Sequence, residues 1–180
     1  LYDLLMANGS NHWGEGEKYT VFELDGVKFS TPICFEDTFG YISREFVNRG
    51  AEVIVNLTND LWSKSVAASM QHMQMAVFRA TETQRSVVRS TNGGMTTIID
   101  PNGKITDLYP PFVEGYLIGE VPIYTEGTTP YVAWGDWFAW VMVAVASLGL
   151  IGASVLRVVE RFATGRVDSE AADVDNGVRL

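Results

Sequence analysis

A single cysteine occurs in the 180 residues, so no disulfide can form within the chain and no compartment can be read from bridges. Histidine is almost as scarce: His12 and His72 stand far apart in sequence. Zinc sites draw three or four ligands from short spacings, so no metal site is expected. Positive charge is short as well. Thirteen Lys and Arg face 22 Asp and Glu, for a net charge of -9, which argues against nucleic acid as a partner because binding it needs a basic face. No Gly-x-Ser-x-Gly elbow is present. Gly14-Glu15-Gly16 begins like a dinucleotide loop but reaches Tyr19 where the last glycine belongs, so no cofactor is expected. Nor does any Lys or Arg occur between Ile105 and Leu156.

What is present suits one domain with an appendage. The hydrophobic share of 47% supports a real core. Residues 1–16 show no period and read as loop. The stretches 19–24 and 27–33, joined by Asp25-Gly26, predict a hairpin with a tight turn. A short helix is expected over 41–49, stopped by Gly50. The β-branched run 52–57 predicts a buried strand. Met70, Met73, Val77 and Ala80 share one helical face and predict a helix over 67–84. Shorter strands follow at 86–90, 95–99, 104–108 and 116–121, with Asp100-Pro101-Asn102-Gly103 as a turn. Strands mixed with packed helices indicate an α/β layered domain.

Residues 137–156 hold no charge. At 1.5 Å per residue, a helix of that length spans about 30 Å, the thickness of a bilayer core. Trp134, Trp137 and Trp140 gather at one end, as headgroup-level rings do. Arg157, Arg161 and Arg166 follow the other end, which the positive-inside rule places in the cytoplasm. The body of the chain is then expected on the outer side, and the acidic tail from Asp168 is expected to lack fixed structure.

Cys34 ends an apolar run and opens Cys34-Phe35-Glu36-Asp37. A lone thiol at the end of a strand is a candidate nucleophile, with turn N–H groups available to a developing oxyanion. Glu36 could accept a proton or orient a partner. A small buried hydrophobe is the other reading of such a cysteine. Asn59, Asp60 and Trp62 could line a site or merely make a turn. His72, beside Met73, reads as a surface or locally bonded side chain, and Arg79 with Glu82 as a structural ion pair.

Several stretches together resemble the apolipoprotein N-acyltransferases of the nitrilase superfamily. Ile33-Cys34-Phe35-Glu36 is similar to their nucleophile motif, and Thr58-Asn59-Asp60-Leu61-Trp62 to their asparagine–aspartate–tryptophan loop. The runs 71–76, 79–82, 89–94, 100–103, 127–131 and 135–137 follow in the family's order. The resemblance implies an αββα nitrilase-like sandwich, present in part and followed by one transmembrane helix. It also implies acyl transfer from a phospholipid, through a thioester on Cys34, to the N-terminal amine of a diacylglyceryl-cysteine apolipoprotein in the bacterial inner membrane. Cys34 would be the nucleophile, Glu36 a supporting residue, and Phe35, Asn59 and Trp62 substrate contacts.

The family's Glu and Lys lie upstream of the cysteine, and neither Lys18 nor Lys28 has the expected context. The chain opens at Leu1 and therefore reads as the C-terminal part of something longer, inactive alone. Its expected organisation is 1–126 as part of the catalytic domain, 127–136 as the membrane approach, 137–156 as the span and 157–180 as the cytoplasmic tail. Two competing readings are an amidase or nitrilase acting on a small soluble substrate, and a membrane-anchored binding module with an inert Cys34.

Overall fold

The computed structural model describes the backbone of residues 16–177 and the side chains of residues 16–160. The loop expected over 1–16 and His12 therefore fall almost wholly outside the described residues. One unit runs to Gly135 and a second begins at Asp136.

The first unit is built on a six-stranded sheet in the order β1-β2-β3-β4-β5-β6. Strands β1 (Val21–Leu24) and β2 (Val27–Ser30) form the expected hairpin. Its turn has Asp25 at φ 51° and Gly26 at φ 81°, the two positive values a tight primed turn requires. Helix α1 (Gly40–Asn48) leads to β3 (Val53–Asn59), parallel to β2. Helix α2 (Val66–Thr83) starts where the Ser65 hydroxyl accepts the Ala68 N–H, and leads to β4 (Ser86–Asn92), parallel to β3 over its whole length. Strands β5 (Thr96–Ile99) and β6 (Ile105–Tyr109) complete the sheet antiparallel. Between them Asp100 accepts the N–H groups of Asn102 and Lys104, each at 2.9 Å.

Side chains alternate across the sheet, so each strand offers one set to the helices. Ile54, Val87 and Ile99 meet Ala76 and Ala80 of α2 and Val47 of α1 in a closed core. Met73 and Ala80 face inward as the helical spacing predicts, but Met70 is exposed. The opposite sheet face is more open. Ile33 and Leu57 bridge one another there and remain 53% and 43% exposed.

Residues 116–121, expected as a strand, are not one. A side chain added at Gly119 would meet Ile98 and Asp107 side-chain atoms, and the Ser86 hydroxyl donates to the Pro122 carbonyl. This segment rides over the side chains of the open face, where its backbone has no strand edge to join. Tyr116 and Ile118 are both exposed, 80% and 83%.

The approach to the span is a structured element. Helix α3 (Pro130–Trp134) is capped by the Thr129 hydroxyl, which accepts the Val132 N–H and donates to the Glu82 carbonyl. Arg44 of α1 donates to the carbonyls of Tyr131, Val132 and Ala133. Val132 is buried in the same core as Ile54, a contribution of about 1.5–3 kcal/mol.

In the second unit, helix α4 (Trp137–Gly177) contains the expected span. Its 24 residues Trp137–Glu160, which reach a mean hydropathy of 2.1 over 18 consecutive positions, are long and apolar enough to cross a membrane. The helix continues to Gly177 across residues where a tail without fixed structure is expected. No proline interrupts the sequence from Trp137 onward, so nothing there forces the helix to end.

Candidate active site

Strand β2 ends at Ser30, and Thr31 to Ile33 carry the chain along the end of β3, where Ile33 bridges Leu57. Cys34 then opens a 3-10 turn, Cys34–Thr38, with its own backbone left-handed at φ 52°. Such a conformation costs a non-glycine residue about 1–3 kcal/mol and persists only where its surroundings enforce it. Two side chains do so here. The fully buried Asn56 amide donates to the carbonyls of Pro32 and Cys34, at 3.2 and 3.0 Å. One Glu36 carboxylate oxygen accepts the Ile33 N–H at 2.7 Å.

Cys34 is half-buried and faces an open cleft of about 650 Å³ at the C-terminal ends of β3 and β4, lined also by Leu57, Thr58, Asn59, Ser90 and Asn92. Ligand sites of open α/β sheets form at such strand ends. On the other side of the turn lies a smaller, mostly apolar cleft of about 240 Å³, lined by Phe35, Trp62, Ala68, Gln71, His72 and Met75 among others.

Beneath the turn is a buried charged network. His72 Nε2 lies 2.9 Å from Asp37 Oδ1, and Nδ1 lies 2.8 Å from Asp60 Oδ1. Arg89, wholly buried on β4, donates to the second oxygens of both carboxylates and to the His72 carbonyl. Arg79 donates to the Thr38 carbonyl at 2.7 Å and pairs with Glu82 at 2.6 Å. Burial, the largest influence, disfavours a charged His72, and Arg89 opposes it too. The hydrogen bond and charge of Asp37, joined by Asp60, outweigh both and raise its pKa above the ordinary value. Burial also draws Arg89 below the usual arginine value, while Asp37, Asp60 and Cys34 favour its charge. A protonated His72 together with Arg89 would balance the two carboxylates, the condition under which buried ions are tolerated.

The loop behind Asp60 is closely packed. A side chain added at Gly94 would meet the Asp60 carboxylate, and one at Gly93 would meet Leu61.

The structure brings Phe35 and Trp62 together on the smaller cleft, their ring centroids 6.1 Å apart, and puts Asn59 on the Cys34 cleft. Asn59 also braces the loop by accepting the Leu61 N–H. The ion pair of Arg79 with Glu82 is present. His72 departs from its reading as a surface or locally bonded residue, because it is 5% exposed and joined to residues distant in sequence. Asn56 belongs to no quoted motif, and although Asp37 and the run 89–94 lie in family-like stretches, nothing in the sequence gives Asp37 or Arg89 a role of its own. For His72 a signal did exist. It shares a helical face with Ala76, Arg79 and Thr83, all buried, and a polar residue on an inward face needs a partner.

Comparison with known proteins adds to this geometry. A family model described as carbon-nitrogen hydrolase matches residues 4–131. Apolipoprotein N-acyltransferase 1 of Treponema pallidum (strain Nichols) is 46% identical over 157 residues, covering 87% of this chain and 29% of that protein. Apolipoprotein N-acyltransferase 1 of Treponema denticola is 42% identical over 162 residues, or 89% and 30% of the two chains. The apolipoprotein N-acyltransferase of Geobacter metallireducens is 38% identical over 143 residues, or 79% and 27%. The chain thus spans about 30% of the length of the curated relatives it matches most strongly.

Proposed function

The chain belongs to the carbon–nitrogen hydrolase family, and from that premise we propose that it carries the nucleophile of a membrane-bound apolipoprotein N-acyltransferase. The observation that carries this reading is the placement of Cys34. It stands in an enforced left-handed turn at the C-terminal ends of the parallel strands, in a chain that also holds a membrane-length apolar helix.

In the proposed reaction the Cys34 sulfur attacks the ester carbonyl of a phospholipid. A carbon–sulfur bond forms, the ester carbon–oxygen bond breaks, and the lysophospholipid leaves as an alcohol after taking up a proton. The N-terminal amine of a diacylglyceryl-cysteine apolipoprotein then attacks the thioester, loses a proton and releases the thiol. A covalent nucleophile divides one difficult transfer into these two steps. Phe35 and Trp62 supply apolar surface for the lipid, Asn59 lies beside the reacting sulfur, and Glu36 supports the turn. Among the described residues no lysine lines the Cys34 cleft. We assign the general base and its lysine to parts of the longer enzyme outside these 180 residues, so this segment alone does not turn over.

The test is direct. After incubation with phospholipid and no acceptor, the peptide containing Cys34 from the full-length enzyme gains the mass of one fatty acyl group, and neutral hydroxylamine removes it. An unmodified Cys34 together with release of ammonia from small amides would favour an amidase instead. An unreactive Cys34 would leave a binding module.

The proposed orientation in the bacterial inner membrane puts the catalytic unit on the outer side and the C-terminus in the cytoplasm. It rests on the absence of Lys and Arg from Ile105 to Leu156 and on the arginines that follow. A membrane-impermeant thiol reagent added to intact spheroplasts of cells making the full-length Gly103→Cys protein labels the introduced thiol, whereas a tag after Leu180 is reached only after lysis. Reversed sidedness would refute both the orientation and the lipoprotein acceptor.

A further inference from the structure

His72 is held on both ring nitrogens by carboxylates, and these come from the two segments that shape the smaller cleft. Asp37 belongs to the nucleophile turn, and Asp60 begins the loop that carries Trp62. Ionised carboxylates only accept hydrogen bonds, so both ring nitrogens must donate, which requires the imidazolium. A neutral ring would turn a bare lone pair toward one carboxylate. Phe35, the residue after the nucleophile, covers the ring at a centroid distance of 4.4 Å and an interplanar angle of 14°. A cation under an aromatic face is a further attraction. The charged groups bearing on His72 are Asp37, Asp60 and Arg89. Arg79, one of its neighbours on α2, is engaged with Glu82 and with carbonyls of the nucleophile turn.

We propose that His72 is a positioning residue: clamped as an imidazolium, it fastens the nucleophile turn to the Trp62 loop, and its deprotonation releases that fastening. The inference deepens the acyl-transfer reading and rests on it only for the kinetic consequence. The direction of the pH effect follows from the raised value of His72. A group whose pKa is higher folded than unfolded contributes its full stability below the unfolded value, and loses it as pH rises through the folded value. Acid therefore strengthens the fastening and alkali undoes it.

The experiment uses the full-length enzyme and His72→Gln, compared across about pH 5–9. The thermal midpoint of the wild type should exceed that of the variant by several degrees at the acid end, and the gap should close toward alkaline pH. The ratio of their rates of thioester formation on Cys34 should fall in parallel, from about 10–100-fold toward one. Asp60→Asn should move the wild-type transition to lower pH, because it weakens one of the two carboxylate hydrogen bonds that hold the proton. This second variant also decides the matter if His72→Gln does not fold. A midpoint gap independent of pH, or a transition unmoved by Asp60→Asn, would show that the clamp is not ionic and overturn the proposal. A closing gap with a constant rate ratio would overturn the positioning role. A wild type that forms no thioester at all would refute the acyl-transfer reading, while the midpoint profile would still judge the clamp.

Discussion

Replacing Cys34 by serine in the full-length enzyme lowers acyl transfer by about 10³–10⁴-fold, and replacing it by alanine leaves nothing above background. Serine keeps the size and the hydrogen-bonding capacity of the site but not its acidity. A thiol supplies an appreciable thiolate fraction near neutral pH, whereas an alkoxide must be generated almost entirely by a base within the transition state. The expected loss corresponds to about 4–5.5 kcal/mol of barrier. Stability should be nearly unchanged, because the turn is held through the backbone by Asn56 and through Glu36 rather than by the sulfur. The measurement is turnover on a phospholipid donor and a diacylglyceryl peptide, with thermal midpoints as the control for folding. Retention of more than about a tenth of wild-type turnover by Cys34→Ala would remove Cys34 from the chemistry.

Arg89→Met should be the most destabilising single change in the buried network. The guanidinium touches both Asp37 and Asp60 and is wholly buried. Methionine fills the stem but leaves two carboxylates facing one imidazolium in a dry interior. Breaking a buried pair from one side costs about 3–5 kcal/mol, because the remaining charge is uncompensated. In a domain of this size that lowers the thermal midpoint on the order of 10 °C. Arg89→Lys should recover only part of the loss, since an ammonium cannot fork between two carboxylates. A midpoint within about 2 °C of wild type for Arg89→Met would mean that the network is not ionised.

The elements that follow local rules were legible in the sequence. Asp25-Gly26 named its turn, the β-branched run gave β3, and the helical spacing gave most of α2. The uncharged run gave the span. The ordered motifs gave the family and the candidate nucleophile. Residues 116–121 misled because an apolar stretch of strand-like composition does not say whether a sheet edge is there to pair with it. The roles of Asp37, Asn56 and Arg89 were opaque, and the inward-facing His72 lacked visible partners, because these residues belong to four separate elements. Their meaning arises only when the parallel strands bring those elements to one end of the sheet. Arg89 lies in a strand with serine, valine and threonine neighbours, and nothing local says that it will be the largest fully buried side chain among the described residues.

On the proposed reading of Cys34 as the nucleophile, its left-handed backbone also restricts which side chains could serve at this position. Threonine offers a hydroxyl like serine, but its branched Cβ is a genuine outlier at positive φ. It would have to break the Asn56 brace before it could react. Cysteine, unbranched at Cβ, can take the corner, and a thiol reaches its anionic form far more readily than a hydroxyl. The choice of thiol chemistry is thus written in the shape of the chain as much as in the sulfur.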